Sequence, residues 1–249
     1  MPNLVIDIGN SSVKLAVFDA DNIVYRQSLQ AITTDFVAQL IGTKSINNII
    51  VSSVKDDFGF DEEIISSKTN YIKFNAQTKI PIDNRYQSPE TLGLDRLAAV
   101  IGANYLYPNQ AVLTIDAGTC ITYDSINANG EYYGGSISPG IKMRFDAMHH
   151  FTSKLPRVNF DATFNERFGT NSKDAISSGA INGSVYEAEG FIKTFLSDNP
   201  SGKIILSGGD STFFDTKFKN SIFANLILHE PNLVLIGLNT VVNYQHDLK

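Results

Sequence analysis

The sequence predicts an α/β protein made by internal duplication, and three observations carry that reading. An apolar strand-like run ending in Asp-x-Gly occurs twice, at Asp7-Ile8-Gly9 and at Asp116-Ala117-Gly118, 109 positions apart (116 minus 7). Each run is followed by two more segments with strand character. Segments with helical apolar spacing separate and follow these three-strand units. The halves implied are residues 1–110 and 111–249, with no low-complexity linker between them.

In the first half, Leu4-Val5-Ile6 is an apolar run stopping at Asp7-Ile8-Gly9-Asn10, a strand entering a tight turn. Val13, Leu15 and Val17 then alternate with Lys14 and Ala16, the two-residue period of a strand. Asp19-Ala20-Asp21-Asn22 is turn chemistry, and Ile23 to Leu29 supplies the third strand. Asp35 to Ile41 reads as a short helix ending at Gly42. Asn48 to Val54 and Tyr71 to Phe74 read as strands, with an acidic helix from Phe60 to Ser67 between them. The Asp56, Asp57, Asp61, Glu62 and Glu63 cluster reads as a solvated face. Leu94, Leu97, Ile101 and Tyr105 form one apolar helical stripe, which Pro108 ends.

The second half repeats the opening. Ala111 to Ile115 is a strand ending at Asp116-Ala117-Gly118-Thr119, Cys120 to Ile126 is a second, and Glu131 to Ile137 is a third after the Asn127-Ala128-Asn129-Gly130 turn. Ser138-Pro139 reads as an N-cap with proline at N1 for a helix to about Met148. Ser172 is the expected cap of a further helix through Ala175, Ile176, Ala180 and Val185, weakened by Gly179 and Gly183 at roughly 1 kcal/mol each. Ile204 to Ser207 is a strand entering Gly208-Gly209. Leu233, Ile236, Gly237, Thr240, Val241 and Tyr244 share one face of the last helix.

Composition narrows the function classes. The chain of 249 residues is 43% hydrophobic and 18% charged, which is ordinary for a globular protein. A net charge of −6 gives no broad footprint for nucleic acid or anionic membrane. No stretch approaches about 18 uninterrupted apolar residues, and Met-Pro-Asn-Leu-Val-Ile-Asp lacks the basic start of a signal peptide. The expectation is a cytoplasmic protein with neither membrane nor nucleic acid as partner. Cys120 is the single cysteine, read as a small buried packing residue.

The duplicated turns are the candidate chemistry. Phosphate needs backbone N–H groups at close range, and glycine after a strand lets the chain approach. Asp7 to Lys14 adds the Ser11 and Ser12 hydroxyls and the Lys14 charge, while Asp7 at the strand end suits a hydrated Mg²⁺. Asp116 to Thr119 repeats the arrangement with Thr119 and Thr122 as hydroxyl donors and Asp124 as a further carboxylate. Two such turns, each opening a repeated unit, are expected to serve one interdomain cleft. No Walker-type or dinucleotide-binding glycine motif is present. His149 and His150 are adjacent, so they cannot share a helix face as paired zinc ligands do.

Four further stretches carry a resemblance. Tyr86-Gln87-Ser88-Pro89-Glu90-Thr91-Leu92-Gly93-Leu94-Asp95-Arg96 is followed by Asp116-Ala117-Gly118-Thr119, by Gly134-Gly135-Ser136-Ile137-Ser138-Pro139-Gly140, and by Gly169-Thr170-Asn171-Ser172. In this order and spacing they resemble the type III pantothenate kinases, within the acetate and sugar kinase/heat-shock cognate/actin superfamily. The likeness runs from Asn3 to the final helix.

The resemblance implies two ribonuclease H-like (actin-like ATPase) domains, each a mixed five-stranded sheet flanked by helices. It implies ATP phosphates held by Asp7, Ile8, Gly9, Asn10, Ser11, Ser12, Val13, Lys14 and Thr119. Pantothenate would be embraced by Tyr86, Gly93, Leu94, Asp95 and Arg96 with Ser172, Asp95 serving as general base. Asp116 would contact a monovalent cation, K⁺ or NH₄⁺, and Mg²⁺ dependence and a homodimer come with the same inference. Ser11 and Ser172 stand where the family more often has threonine, and Cys120 where it has alanine; none of these changes removes a charge.

Arg96 suits a bidentate grip on either the pantothenate carboxylate or a phosphate. The bland reading of Asp95-Arg96 is a surface pair on a helix, where neighbours i and i+1 do not face each other. Gly208-Gly209 serves either as an adenine border or as a tight strand-to-helix turn. The rival functions are a non-catalytic nucleotide-binding accessory or regulatory relative, and a superfamily phosphatase or kinase for another small acid. Neither has a use for the whole Tyr86-to-Arg96 block.

Overall fold

The strand β1 (Asn3–Ile8) is buried at every position except Asp7, as a strand inside a covered sheet must be. In the computed structural model, which describes residues 2–55 and 57–248, β1 pairs antiparallel with β2 (Val13–Asp19). On its other side it pairs parallel with β4 (Asn48–Ser53). The edges are β3 (Asn22–Leu29), antiparallel to β2, and β5 (Asn70–Lys73), parallel to β4, giving the order β3-β2-β1-β4-β5. Asp56 of the acidic cluster lies outside the described residues.

The same strand plan recurs. β7 (Val112–Ala117) pairs antiparallel with β8 (Cys120–Ile126) and parallel with β10 (Lys203–Ser207), which pairs parallel with β11 (Ile227–His229). With β9 (Glu131–Pro139) on the far side of β8, the order β9-β8-β7-β10-β11 reproduces that of the first sheet. One addition departs from the expected five strands: the short β6 (Asp83–Asn84) pairs with Glu131 and Tyr132 at the start of β9.

The chain divides into two compact units. Unit 1 comprises the residues up to Pro108, Gly130–Tyr133, and the chain from Asn232 on; unit 2 comprises Asn109–Asn129 and Gly134–Pro231. The expected boundary at 110/111 lies beside the Pro108/Asn109 division, but α7 (Leu233–Asp247), counted with the second half on sequence, belongs to unit 1. Two glycines explain this. Helix α3 (Leu94–Leu106) and α7 touch backbone to backbone: a Cβ on Gly237 would stand 1.8 Å from the Ala98 carbonyl oxygen, and one on Gly102 2.6 Å from that of Leu233. Asn3 also donates to Asn239 and Asn243 of α7, at 2.8 and 2.9 Å.

Each unit has its own core. In unit 1, Leu4, Ile6, Leu15, Val17, Val37, Ile49 and Val51 pack together under α1 (Thr34–Lys44). In unit 2, Leu113, Ile115, Ile121, Tyr123, Ile181, Ile192 and Phe214 pack with α4 (Ile141–His150), α5 (Ser172–Asp198) and α6 (Ser211–Phe218).

Several helix ends differ from the sequence expectation. Helix α1 runs through Gly42 to Lys44, because Gly42 faces open space and nothing there obliges a stop. The acidic helix is only α2 (Glu62–Ser66), capped by the Asp61 carboxylate on the Glu63 and Ile64 N–H groups. Ser138 and Pro139 end β9 instead of opening a helix, and Gly140 precedes α4. Asn171, not Ser172, caps α5, its side chain accepting the Asp174 N–H at 3.0 Å. Among the described residues, no helix is long and apolar enough to cross a membrane.

Candidate active site

The first Asp-x-Gly turn sits at the carboxyl end of β1 in unit 1. Ile8 and Val13 face each other as the last buried strand pair, and the Gly9 N–H closes the turn on the Ser12 carbonyl at 3.0 Å. Asn10 and Ser11 are left exposed at its tip, with Ser12 half-buried. One step down the ladder, Asp7 and Lys14 are direct cross-strand partners, both half-buried. A carboxylate and an ammonium thus share the face at the mouth of the turn, the donor set an anionic phosphate with a hard cation calls for.

The Tyr86-to-Arg96 block forms a second assembly in the same unit. Pro89–Thr91 makes one 3₁₀ turn, and Gly93 leads into α3. At the head of that helix the Asp95 side chain is exposed, its Oδ1 accepting the Arg96 N–H at 2.8 Å. Gly93 lies directly against this carboxylate: a Cβ there would be 2.6 Å from Asp95 Oδ1. Arg96 is only 6% exposed, so the surface-pair reading fails. Its guanidinium lies 5.8 Å from the centre of the Tyr86 ring, which stacks at 8° on buried Tyr132. Leu94 is half-buried beside them. Tyr86, Gly93, Leu94, Asp95 and Arg96 are therefore brought together at the head of α3, a helix buried continuously from Arg96 to Ala103.

The second turn belongs to unit 2. The Gly118 N–H bonds the Cys120 carbonyl at 2.9 Å, and Thr119 is exposed at the tip. Asp116 faces Thr122 across the ladder, so threonine stands here where the first turn has Lys14, and the second turn lacks that cation. Two glycines press on it from behind. A Cβ on Gly140 would be 2.1 Å from the Gly118 carbonyl oxygen, and one on Gly208 would be 2.5 Å from Asp116 Oδ1.

Gly208 also adopts φ +93, a conformation that suits only glycine. Asp124, read as a further carboxylate of this turn, is instead fully buried within β8, opposite Thr114. Ser172 is exposed at the start of α5. Cys120 is half-buried, short of the buried packing role expected of it.

The two adjacent histidines have separate surroundings. His149 Nδ1 bonds the Leu155 carbonyl at 2.9 Å, and His150 lies edge-on to Phe151. Among the described residues, no group of three or more His, Cys, Asp or Glu side chains could hold a metal by itself. The Asp7 carboxylate is nonetheless a hard oxygen donor, and it fits an ion that keeps most of its waters and shares ligands with a bound phosphate.

Sequence reasoning missed the polar groups behind the second turn. Arg144 donates from Nη2 to Glu187 Oε2 at 2.7 Å and to Ser138 Oγ at 2.8 Å, and from Nε to the Pro139 carbonyl at 2.9 Å. Tyr123 donates to Glu187 Oε1 at 3.0 Å. No local signal singles them out, because α4 and α5 carry several other charges and the partners lie up to 64 positions apart.

Comparison with known proteins places this arrangement. The family model of type III pantothenate kinase matches residues 3–194. A type III pantothenate kinase of Phocaeicola vulgatus is 41% identical over 249 residues, covering 99% of this chain and 100% of its own. Among solved structures, a Campylobacter jejuni protein assigned to the Baf family of transcriptional activators superposes with a TM-score of 0.61 at 24% identity, over 98% of this chain and 99% of its own. The activator of the 2-hydroxyisocaproyl-CoA dehydratase from Clostridium difficile superposes with a TM-score of 0.53 at 13% identity, over 100% and 98%. At these identities the two structures bear on the fold alone, which is that of the actin-like ATPases and sugar kinases. The match over most of the sequence decides the family: the chain belongs to the type III pantothenate kinases.

Proposed function

We propose that this protein transfers the γ-phosphoryl group of ATP to the terminal hydroxyl of pantothenate, the first step of coenzyme A biosynthesis. The observation that carries the proposal is the Asp95 carboxylate, exposed immediately before the buried Arg96–Ala103 stretch of α3 and beside Arg96 and Tyr86. Membership of the family supports the substrate pair. Oδ1 of Asp95 is occupied by the Arg96 N–H, which fixes the side chain and leaves Oδ2 to take the hydroxyl proton. As that proton moves, the substrate oxygen bonds to the γ-phosphorus, the bond from phosphorus to the bridging oxygen breaks, and ADP leaves with the electron pair.

The remaining residues bind and orient. Asp7, Ile8, Gly9, Asn10, Ser11, Ser12, Val13 and Lys14 hold the ATP phosphates, with Lys14 offsetting charge on the transferred group; Thr119 contributes a hydroxyl. Tyr86, Gly93, Leu94 and Arg96 hold pantothenate, and Ser172 contacts it. Asp7 holds Mg²⁺ through water, and Asp116 contacts a monovalent cation, K⁺ or NH₄⁺. These ions, when bound, neutralise phosphate charge.

The protein acts in the cytoplasm as a homodimer. Exposed Ile137, Met143, Phe151, Phe168 and Tyr186 support the dimer, as apolar surface that association would cover. Sedimentation of the purified chain tests the dimer.

A coupled ADP-release assay with pantothenate, with and without K⁺, tests the activity. The expected result is ADP release that requires pantothenate. Release absent under every cation condition rejects the proposal in favour of a non-catalytic nucleotide-binding relative, for which Asp95 has no task.

A further inference from the structure

We propose that Arg144 and Glu187 are a positioning pair: acting through the Ser138–Gly140 backbone, they hold the Gly118–Thr119 turn in the conformation that binds nucleotide phosphate. This rests on the ATP reading above. The chain of contacts begins at the turn. The Gly140 N–H donates to the Thr119 carbonyl at 3.1 Å, and the absent Gly140 side chain lets that backbone lie against the Gly118 and Thr119 carbonyls, where a Cβ would come within 2.1 and 2.5 Å. Wherever Gly140 sits, the turn must follow.

Gly140 in turn follows Arg144. The guanidinium grips the Pro139 carbonyl through Nε and the Ser138 hydroxyl through Nη2, and ties both to Glu187 on α5. A planar fork can serve three acceptors at fixed angles, which a lysine ammonium on a flexible stem cannot. The pair is largely shielded, with side chains 19% and 28% exposed, so salt screens it little.

Glu187 closes the circuit by accepting from Tyr123, which is buried in β8 and stacked 4.0 Å from the Phe191 ring. Strand β8 begins at Cys120, the residue after Thr119. The turn is thus held by Tyr123 along its own outgoing strand and by Gly140 from outside, and Glu187 joins the two supports.

The test uses the whole chain and its variants Arg144→Lys, Glu187→Gln and Tyr123→Phe. Calorimetry with adenosine 5′-(β,γ-imido)triphosphate gives nucleotide affinity, and steady-state kinetics gives KM for ATP and for pantothenate separately. The expected result for Arg144→Lys is a rise of about tenfold in nucleotide Kd and KM for ATP, with KM for pantothenate within about twofold. Glu187→Gln and Tyr123→Phe should move the same way by smaller factors.

Folded variants that lose thermal stability yet keep wild-type nucleotide affinity would show a merely structural network and overturn the inference. So would an equal rise in both KM values. Should Arg144→Lys fail to fold, Tyr123→Phe, which deletes one hydroxyl, decides by the same criterion. A wild-type chain that binds no nucleotide removes the underlying reading and this inference together; normal wild-type binding matched by the variants removes this inference alone.

Discussion

The Cα of Gly93 lies so close beneath the Asp95 carboxylate that a methyl group added at residue 93 would stand 2.6 Å from Oδ1. The obstructed atom is the end of a mobile side chain, so Gly93→Ala should fold normally while turning the carboxylate away. We expect kcat to fall about tenfold with little change in melting temperature. Asp95→Asn should cut kcat by at least ~10² with folding intact. Steady-state kinetics beside a thermal melt checks both, and near-normal turnover in Asp95→Asn would remove the general-base role.

Lys14 is the feature that the two Asp-x-Gly turns do not share. It pairs with Asp7 where Thr122 pairs with Asp116, so only the first turn has an ammonium across the ladder from its carboxylate. Lys14→Met should lower kcat/KM for ATP by about 10²-fold, the scale of losing one preorganised charge donor. Thr122→Val should cost far less. Wild-type kcat/KM for ATP in Lys14→Met would exclude the lysine from the phosphate site.

Glycines in helices give a paired test of packing. Gly237→Ala drives a Cβ into the Ala98 carbonyl of α3, backbone against backbone, and should destabilise by about 1–3 kcal/mol or more. Gly179 of α5 has nothing within 4 Å of the same position, so Gly179→Ala should stabilise by ~0.5–1 kcal/mol through helix propensity alone. Urea midpoints measure both. An unchanged midpoint in Gly237→Ala would mean that α3 and α7 do not meet at this glycine.

What the sequence made legible follows from how local each feature is. Buried strands announce themselves as apolar runs, so β1, β2, β7 and β8 could be placed nearly to the residue, and the repeated Asp-x-Gly exposed the duplication that the matching strand orders display. Pro139 misled because its fixed φ suits a helix start and a strand end alike; the choice was made by Gly140 packing on carbonyls some twenty positions earlier in the chain. The short β6 and β11 are too brief to show a period, and α6 has only eight residues. Membership of α7 in unit 1 depends on Asn3 and Ala98, far away in sequence. The motif-bearing turns could be located from their own residues, whereas Arg144, Glu187 and Tyr123 come from three separate elements and carry no local signature.

Acid stability should report on Glu187. Partial burial pushes its carboxyl upward, but hydrogen bonds from Arg144, Ser138 and Tyr123, with the Arg144 charge, outweigh this and hold it below its ordinary value of 4.5. Tyr123, raised by burial and by the neighbouring carboxylate, stays a neutral donor. A depressed carboxyl means that the unfolded chain binds more protons than the folded one between the two values, so stability rises with pH there. The contribution is complete above 4.5 and is lost as pH falls through the folded value. Glu187→Gln cannot titrate, so its deficit relative to wild type should be constant near neutrality and shrink as pH drops below about 4.5. Every other carboxylate titrates in both proteins and cancels in the difference. Urea unfolding across a pH series measures it, and a wild-type advantage unchanged down to about pH 3 would mean that Arg144 does not hold this carboxylate in its charged form.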